Sequence, residues 1–314
     1  MVRASAWLLN FDADDELARL RPVEAAGVPR RAAPHSGYTL STAMLQRSLA
    51  LVHRVRALLR PGDLVIAEAQ ETPSCAGFTG RAWCPTPRAL RALARSGADL
   101  PKSPPPAVLR AVNHRRFSAS LGQTLPGARF ALTLEEAMAT LASPSPTGTW
   151  LLKRPFGFAG RGRLKVTPDR PGDLRHAQPW IQASLRAREG LQVEPLVDRV
   201  ADFGLHGFVH PDGRVVFGHP TRQECDEAGA WLGSARAEDS DLPTPERDAL
   251  FEQAHLAAAA LHVAGYFGPF GVDAFRWRDP VGHLRWNARG EINARYSMGW
   301  AIGMGDVRPD LEYE

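Results

Sequence analysis

The sequence EINAR at residues 291–295 has polar side chains at alternate positions, the spacing that places them on one face of a β-strand. On that face Glu291, Asn293 and Arg295 would lie about 6–7 Å apart from one to the next. The run FGVDAFRW at residues 270–277 predicts the preceding strand, and the turn residues DPVG between the two runs predict a hairpin. These two runs therefore form a predicted pair of strands with polar side chains on one face.

Asp273 lies inside FGVDAFRW between apolar neighbours, where a carboxylate needs a partner to offset its loss of hydration. Together with Glu291 and Asn293 it offers two carboxylates and an amide oxygen from paired strands. Hard oxygen donors of this kind suit Mg²⁺, which also takes ligands from phosphates. The sequence therefore predicts a magnesium site at these three residues, and the alternative is a plain exposed face of the hairpin.

A second polar segment, KRPFGFAGRG at residues 153–162, combines a lysine with several glycines. Phosphate oxygens need backbone N–H groups that point at one place, and Gly157, Gly160 and Gly162 would permit that close approach. Lys153 would add a positive charge. The segment lacks the GK[ST] ending of a P-loop and leads into a strand, so neither a P-loop nor a dinucleotide-binding fingerprint fits. A simple hairpin turn is the alternative.

The segment LQVEPLVDRVADF at residues 191–203 predicts a strand that ends near a glutamate. An adenine ring needs a backbone carbonyl and an N–H group on one segment, flanked by aliphatic walls, and a carboxylate further on can accept both ribose hydroxyls. Asp202 could take the ribose. A strand end with two solvated acids is the alternative. The candidate adenine segment consists of Glu194, Pro195, Leu196 and Val197.

The composition bounds the partners of the protein. The 38 basic residues outnumber the 34 acidic ones, and three of the 38 are lysine. Because these cations are scattered and form no block interleaved with aromatic residues, we expect no nucleic-acid partner. Positive charge equally suits a nucleotide or an acidic small substrate. Three cysteines without a CxxC spacing predict free thiols rather than a disulfide or zinc framework.

No stretch of the sequence approaches 18 uninterrupted apolar residues, so we expect no transmembrane helix and no membrane partner. The apolar run near the first residues is too short for the apolar region of a signal peptide. Both observations predict a cytoplasmic protein.

The order of strand-like and helical segments predicts the domain organisation. Alternation of the two in residues 1–110 predicts a small α/β domain. From Thr149 onward short strand-like runs are separated by turn residues, which predicts an α+β domain with mainly antiparallel sheets over residues 111–314. Within it we place a nucleotide-covering lobe at about 125–195 and a metal and catalytic lobe at about 196–314.

Three local predictions bear on the site. Helical spacing predicts one helix that covers residues 109–125. A second helix is predicted from a Thr244 cap to Gly265. The polar, turn-rich segment at residues 221–233 is predicted to be a surface loop, and the alternative is that it lines a substrate pocket with Arg222 as the carboxylate-binding group.

The order of these elements resembles the ATP-grasp superfamily over about residues 110–300: a lysine with a glycine-rich loop, a strand-end glutamate with a later acidic residue, an aspartate, and Glu-x-Asn. The resemblance implies a nucleotide held between two α+β lobes. It implies that Lys153 contacts the phosphates under the glycine loop, with adenine at residues 194–197 and the ribose at Asp202. Three residues would hold Mg²⁺: Asp273, Glu291 and Asn293.

Two positions depart from the family pattern. Members usually supply another lysine before the glycine loop, and here Arg115 or Arg116 occupies that region and would bind phosphate in a forked geometry. Ligases of the D-alanine type carry an arginine two residues before the aspartate, where this sequence has Gly271. EINAR resembles the metal strand of biotin carboxylases, which implies that Arg295 lies in the reaction site and stabilises an oxyanion.

The resemblance implies an ATP- and Mg-dependent ligase that joins a carboxylate to an amine through an acylphosphate and releases ADP. Lys153 and Arg295 would be the catalytic residues. The implied partners are small-molecule carboxylate and amine substrates, and a homodimer is the default expectation for the assembly. Three alternatives stay open: a kinase with the same fold, a non-catalytic nucleotide-binding module, and a nucleic-acid-binding protein.

Overall fold

A computed structural model of the protein describes residues 3–20, 38–67, 74–122, 124–157, 162–186, 189–225 and 231–312. The strands in this part of the chain are β1 Ser5–Leu8, β2 Leu64–Val65, β3 Thr79–Ala82, β4 Arg129–Ala131, β5 Trp150–Lys153, β6 Arg163–Val166, β7 Leu191–Pro195, β8 Asp198–Val209, β9 Val215–Phe217, β10 Thr221–Cys225, β11 Trp231–Arg236, β12 Gly268–Arg278 and β13 Leu284–Asn293. The α-helices are α1 Ala13–Arg19, α2 Thr42–Val52, α3 Pro87–Ser96, α4 Pro106–Asn113, α5 Arg115–Ser120, α6 Leu134–Ala142, α7 Pro171–Leu185, α8 Thr244–Val263, α9 Trp300–Met304 and α10 Pro309–Glu312. A 3₁₀ helix at His53–Leu58 continues α2.

The first sheet is parallel, with strand order β2-β1-β3. Helix α3 packs beside it and begins and ends as its sequence predicts. The Thr86 side chain accepts a hydrogen bond from the Ala89 N–H group at the start of the helix. Gly97 follows the last residue with a φ of 81°, a conformation that glycine adopts without strain. Parallel strands with a helical connection confirm the predicted α/β character of this region.

The second sheet is antiparallel, with strand order β4-β7-β5-β6. One of its faces is covered by α6 and α7, and the core there includes Trp150, Leu152, Val193 and Ile181. The opposite face carries the polar residues that the next section describes. Because side chains alternate along each strand, the same four strands can bury an apolar face and line a polar cleft.

The third sheet has six strands in the order β11-β10-β8-β12-β13, with β9 paired to β8, and its pairs are antiparallel. Its apolar face packs against α8 and shares one core with the first residues of the chain. Trp7 and Phe11 lie in the same buried cluster as Leu205 and Ile292. The described residues therefore have mixed helix and strand content with mainly antiparallel sheets, as predicted. The domain boundaries proposed from the sequence stay predictions.

Three local predictions were wrong, and one helix was missed. The helix predicted over 109–125 is broken at His114, whose ψ of 131° is extended and whose ring accepts a hydrogen bond from the Arg116 N–H group. Helix α7 was missed, because Pro179 inside it disguises the spacing of the residues that pack on the second sheet. The segment at 221–233 forms most of the β10–β11 hairpin rather than a surface loop. Helix α8 begins at Thr244, but no side chain caps it.

We expect the region around the first sheet to depend on a buried ion pair between Glu16 and Arg88. The Glu16 carboxylate is inaccessible to solvent and accepts hydrogen bonds from the Thr86 hydroxyl at 2.6 Å and the Arg88 N–H group at 2.9 Å. Glu16→Ala would leave these donors and the Arg88 guanidinium without that carboxylate, and should lower the free energy of unfolding by about 3–5 kcal/mol. Urea denaturation measures this change.

The matched control is Asp99→Ala. It removes the carboxylate of an exposed ion pair with Arg3, at 2.9 Å, and should change the free energy of unfolding by less than about 1 kcal/mol. Equal effects of the two substitutions would contradict the assignment of a structural role to Glu16.

Candidate functional site

Lys153 and Glu194 form a buried ion pair on the open face of the second sheet. In the β5–β7 register Lys153 lies opposite Gln192, and Leu151 lies opposite Glu194, so the two charged side chains are diagonal neighbours on one face. Burial lowers the pKa of Lys153, while the Glu194 carboxylate opposes that shift. The pair therefore places a positive charge in the cleft, and the carboxylate offsets part of the cost of its burial.

Asp273 and Glu291 lie directly opposite each other on β12 and β13, so both side chains project from the same face of the third sheet. The Asn293 side-chain amide donates to Asp273 Oδ2 at 3.1 Å. Gln223 on β10 donates to Asp273 Oδ1 at 3.5 Å. The structure thus brings the three predicted magnesium ligands together, and it adds Gln223, which the sequence analysis did not select.

The two facing carboxyl groups have opposite pKa shifts. Burial and the nearby Glu291 charge raise the pKa of Asp273 to about 6. Burial alone would also raise the pKa of Glu291, but the charges of Arg115 and Lys153 hold it at about 2. Glu291 is therefore ionised at neutral pH beside a carboxylate that carries its own charge at an energetic cost. A cation placed between them would relieve that cost.

Further cations complete this charged cluster. Arg115, the first residue of α5, forms an ion pair with Glu291. Arg163 lies opposite Lys153 in the β5–β6 register, and its pKa is lowered by burial against the favourable charge of Glu291. Arg199 interacts electrostatically with Lys153 and Asp273. The sequence analysis missed Arg163 and Arg199, although the position of Arg163 directly after Gly162 in a predicted hairpin would have placed it opposite Lys153.

A cavity of about 370 Å³ lies between α4 and α5, the open face of the second sheet, and β13. Its lining includes residues that the sequence analysis selected from distant segments, and these are Arg115, Arg116, Lys153, Glu194 and Glu291. The break at His114 directs α5 across the mouth of this cleft, and the Arg115 N–H group donates to Pro155 O at 3.1 Å. The cavity therefore combines an excess of cations with two carboxylates, one from the second sheet and one from the third.

Comparison with known proteins bears on the fold. No model of a protein family matches the sequence, and no curated protein matches it either. Solved structures do match. D-alanyl-alanine synthetase A from Vibrio cholerae aligns with a TM-score of 0.51 at 13% identity, and the alignment covers 97% of this chain and 92% of the synthetase.

Two further structures give the same picture. Pyruvate carboxylase from Rhizobium etli aligns with a TM-score of 0.51 at 17% identity, over 96% of this chain and 27% of the carboxylase. Biotin carboxylase from Campylobacter jejuni, in a complex with an ATP analogue, aligns with a TM-score of 0.50 at 14% identity, over 87% of this chain and 56% of that one. The chain has the ATP-grasp fold.

Within this fold, the candidate adenine segment has one N–H group without a backbone acceptor among the described residues and one carbonyl that points away from β5. Pro195 has no N–H group, and the Leu196 N–H group already donates to Thr149 O at 2.9 Å. Because Leu196 and Thr149 form a hydrogen-bonded pair, the Pro195 carbonyl of the adjacent pair points away from β5. Among the described residues the Val197 N–H group has no backbone acceptor, and the Val197 side chain packs on Leu125 and Phe275.

The glycine-rich segment joins β5 to β6 as a hairpin. The Arg154 N–H group donates to Gly162 O at 2.9 Å, and Gly162 has a φ of 68°, which favours glycine. Gly157 is the last described residue on the other side of the turn, and Gly160 lies outside the described residues. The turn is therefore built as a hairpin, and its closure over phosphates stays a prediction.

Asp202, the predicted ribose ligand, lies on β8 and accepts a hydrogen bond from Arg199 at 3.0 Å. It does not line the cavity described above, although it is on the same sheet face as Asp273, because Asp202 pairs with Phe275 two residues further along β12. Its assignment to the ribose stays a prediction.

The Arg295 side chain points toward helix α1, near the beginning of the chain. Its guanidinium donates to Asp14 Oδ2 at 2.9 Å and to Tyr296 O at 3.3 Å. Burial would lower the pKa of Arg295, but the Asp14 carboxylate raises it, so the group stays charged. The positive charge of Arg295 also acts to lower the pKa values of Asp273 and Glu291. Asp14 gave no signal in the sequence beyond its place in an acidic helix start.

The glycine that replaces the arginine of D-alanine-type ligases has a structural reason. A Cβ atom at Gly271 would lie 2.9 Å from His206 Nδ1 and 3.2 Å from Ser297 Oγ. These contacts leave no room for a long side chain at this position.

The described residues contain no cluster of three or more His, Cys, Asp and Glu side chains that could hold a metal ion. The predicted magnesium set has two carboxylates and one amide, so phosphate oxygens and water would have to complete the coordination. In the same part of the chain, no helix combines the length and the apolar character that a membrane span needs.

The pKa of Asp273 predicts a pH dependence of stability in metal-free buffer. An aspartate in an unfolded chain titrates near pH 3.9, whereas Asp273 titrates at about 6 in the folded protein. Between these values the folded state binds more protons at Asp273, so the contribution of Asp273 to the free energy of unfolding falls as the pH rises. The buried imidazoles of His114 and His206, whose pKa values burial lowers to about 4, contribute the opposite slope in the wild type and in an Asp273 variant alike. Asp273→Asn should abolish this fall and be more stable than the wild type at pH 7, by about 2–3 kcal/mol.

Urea unfolding of both proteins between pH 4.5 and 7.5, with a chelator present, measures the difference. The stability that Glu291 contributes is lost only as the pH falls below its unfolded value near 4.3, outside this window. The exposed Asp99→Asn variant is the control and should follow the wild-type curve. Parallel curves for wild type and Asp273→Asn would contradict the raised pKa.

Proposed function

We propose that this protein is an ATP- and Mg-dependent ligase that joins a carboxylate to an amine through an acylphosphate and releases ADP. One observation carries the proposal: in a single cleft of an ATP-grasp fold, cations from the second sheet and α5 face Glu291 of the third sheet, whose strand partner is Asp273. The fold neighbours include a D-alanyl-alanine synthetase and a carboxylase in complex with an ATP analogue. ADP release and the two substrates are part of the proposal.

The nucleotide would occupy the cavity beside the charged cluster. Lys153, Arg115 and Arg163 would bind its phosphates, because their positive charges face Glu291 and Glu194 at short range and no longer need those partners once phosphate is present. The Val197 N–H group and the Pro195 carbonyl would bind the adenine edge. The apolar contact of Val197 with Leu125 and Phe275 would support the ring.

The residues at the β12–β13 pair fit a magnesium ion. Asp273 is buried beside a like charge, and its raised pKa reflects a carboxylate that lacks sufficient positive charge nearby. Asp273, Glu291 and Asn293 would hold the ion, with Gln223 orienting Asp273 from the neighbouring strand. When bound, Mg²⁺ supplies positive charge to the phosphate oxygens.

Catalysis would then consist of positioning and charge neutralisation. The substrate carboxylate attacks the γ-phosphorus, the bond to the β-phosphate oxygen breaks, and ADP leaves. The amine next attacks the acyl carbon, and inorganic phosphate leaves as the amide forms. Lys153 and Arg115 balance the charge of the first step, and Arg295, held by Asp14, stabilises the oxyanion of the second.

A phosphate-release assay with MgATP tests the proposal. Phosphate should be released only when a carboxylate and an amine are both present, with an equimolar amide product detected by mass spectrometry. A phosphorylated small molecule without free phosphate would instead establish a kinase. MgATP binding without any turnover across amino acids and small carboxylic acids would favour a non-catalytic module, and the ligase proposal would then fail.

Removal of the buried lysine should abolish turnover. Lys153→Met deletes a charge that faces the phosphates and should reduce the rate by about 10²–10³-fold. This substitution leaves the Glu194 carboxylate buried without its cationic partner. The double variant Lys153→Met/Glu194→Gln removes both charges of the pair, so that no unpaired carboxylate is left at this point of the second sheet. Circular dichroism tests whether both variants fold.

The exposed Lys102→Met variant is the matched control and should keep wild-type activity. Wild-type turnover in the Lys153→Met/Glu194→Gln double variant would remove Lys153 from the site.

Magnesium should bind through the facing carboxylates. We expect Mg²⁺ with ADP to raise the wild-type midpoint of thermal unfolding in proportion to its occupancy, and a chelator to reverse the shift. Glu291→Gln removes one carboxylate oxygen donor and should remove most of the magnesium-dependent part of the shift. Glu252→Gln changes an exposed glutamate of α8 and should leave the shift unchanged. A magnesium effect that persists in Glu291→Gln would place the ion elsewhere.

A further inference from the structure

A second, smaller pocket lies at the other end of the polar face of the third sheet. It has a volume of about 200 Å³ and is enclosed by the 3₁₀ helix, β11 and α9. Its walls are mainly apolar, and the residues that matter most here are Trp83, Trp231, Leu58, Met298 and Ala301.

Two routes connect this pocket to Asp273. Gly271 precedes Asp273 by two residues and shares its sheet face, about 7 Å away, and a Cβ at Gly271 would lie 3.2 Å from Ser297 Oγ in the pocket wall. On the other side, Gln223 donates to Asp273 and lies opposite Ser234, which also lines the pocket. The pocket is therefore about one strand repeat from the candidate metal ligands.

The two cavities have no lining residue in common among the described residues. The larger one is lined by Glu291, whereas the smaller one is lined by Ser297, which lies beside Gly271, and by Ser234, which lies opposite Gln223. A reaction that transfers phosphate from a nucleotide in the first cavity needs its second reactant at such a position. The smaller pocket is close to this position, and His206 and Ser297 occupy the space beside Gly271 between the two.

The chemistry of the pocket wall restricts what can enter. Arg54 is the ionisable residue of its described lining, and the Arg54 guanidinium already donates to Trp231 O at 2.9 Å. The polar groups are the hydroxyls of Ser234 and Ser297, which bond to Trp231 Nε1 and His206 Nδ1 at 2.9 Å each. No carboxylate lines the described wall, so a cationic side chain would enter without a partner and at a high cost in hydration.

The volume matches a medium-sized apolar group. A cavity of about 150 Å³ with apolar walls is large enough to bind benzene, so 200 Å³ accommodates an aromatic ring or a leucine side chain. Leu232 at the pocket is half exposed, at 51%, although it is a large apolar residue. An apolar ligand would cover this surface and remove it from water.

From this position, wall chemistry and size, we infer that the pocket receives an uncharged apolar side chain, of leucine to phenylalanine size, on the substrate that reacts beside Asp273. The inference rests on the proposed function, because it makes the pocket the substrate end of the ligase site. It names the class of substrate that the ATP-grasp fold leaves open. The apolar group can belong to the carboxylate or to the amine.

The test compares probes in the phosphate-release assay with MgATP. L-phenylalanine and L-leucine are compared with L-alanine, L-glutamate and L-lysine, while 3-phenylpropanoate and 2-phenylethylamine, each with L-alanine as co-substrate, distinguish the carboxylate source from the amine source. We expect the apolar probes to give at least about tenfold higher kcat/KM than the small or charged ones. Equal rates, or a preference for a charged side chain, would overturn the inference.

Variants of the wall locate the effect in this pocket. Ala301→Leu fills the pocket from α9 and should reduce the advantage of L-phenylalanine at least tenfold, without changing MgATP affinity measured by calorimetry. Ala139→Leu on the exposed face of α6 is the matched control and should keep the wild-type preference. Met298→Ala enlarges the pocket and should shift the preference from L-leucine toward L-phenylalanine, which keeps the test valid if the first variant fails to fold.

The possible outcomes distinguish a failure of the proposed function from a failure of the pocket assignment. If the wild-type protein does not bind MgATP or releases no phosphate with any probe, the proposed function fails. If it binds MgATP and releases phosphate, but Ala301→Leu and Met298→Ala leave the preference among probes unchanged, only the assignment of the pocket fails.

Discussion

Asp273 and Glu291 face each other across two paired strands, and the surrounding site follows from the need to hold two carboxylates so close together. Like charges directly opposite on a sheet destabilise it unless cations compensate them. Arg115 meets this requirement for Glu291 from a helix that belongs to neither strand. In the described part of the chain Asp273 accepts hydrogen bonds from Asn293 and Gln223 but forms no ion pair, and burial together with the Glu291 charge raises its pKa. Glu291 is thus neutralised by a cation, whereas Asp273 is bonded to neutral amides and would be stabilised by added positive charge.

The sequence predicted the features that depend on local spacing. Alternation along EINAR and FGVDAFRW was sufficient to predict Asp273, Glu291 and Asn293 on one face, because side chains alternate along each strand. The sequence did not show the register shift between Asp273 and Phe275, which makes Glu291 the strand partner of Asp273. The limits of α3 followed from Thr86 and Gly97, whose conformational preferences act within a few residues. The overall antiparallel character followed from the many short runs after Thr149. These features require no knowledge of what packs against what.

The features that the sequence did not predict depend on contacts between distant segments. Nothing local shows that the chain becomes extended at His114, yet this break directs Arg115 into the cleft. Helix α7 forms in spite of Pro179, because its apolar side chains pack on the second sheet. Arg163 and Arg199 resemble other arginines until the sheets bring them near Lys153. Tertiary packing selects a few arginines from the 35 in the chain, and local pattern cannot.

The ion pair between Arg295 and Asp14 has a consequence for dissecting the molecule. It ties the last strand of the third sheet to the first helix of the chain, and the same two regions share a continuous apolar core that includes Trp7 and Ile292. A fragment that began near residue 111 would keep every charged group of the cleft. It would, however, expose that core and leave the buried Arg295 guanidinium without its carboxylate partner Asp14. Excision of the amino-terminal third should therefore yield an insoluble product rather than a minimal nucleotide-binding unit.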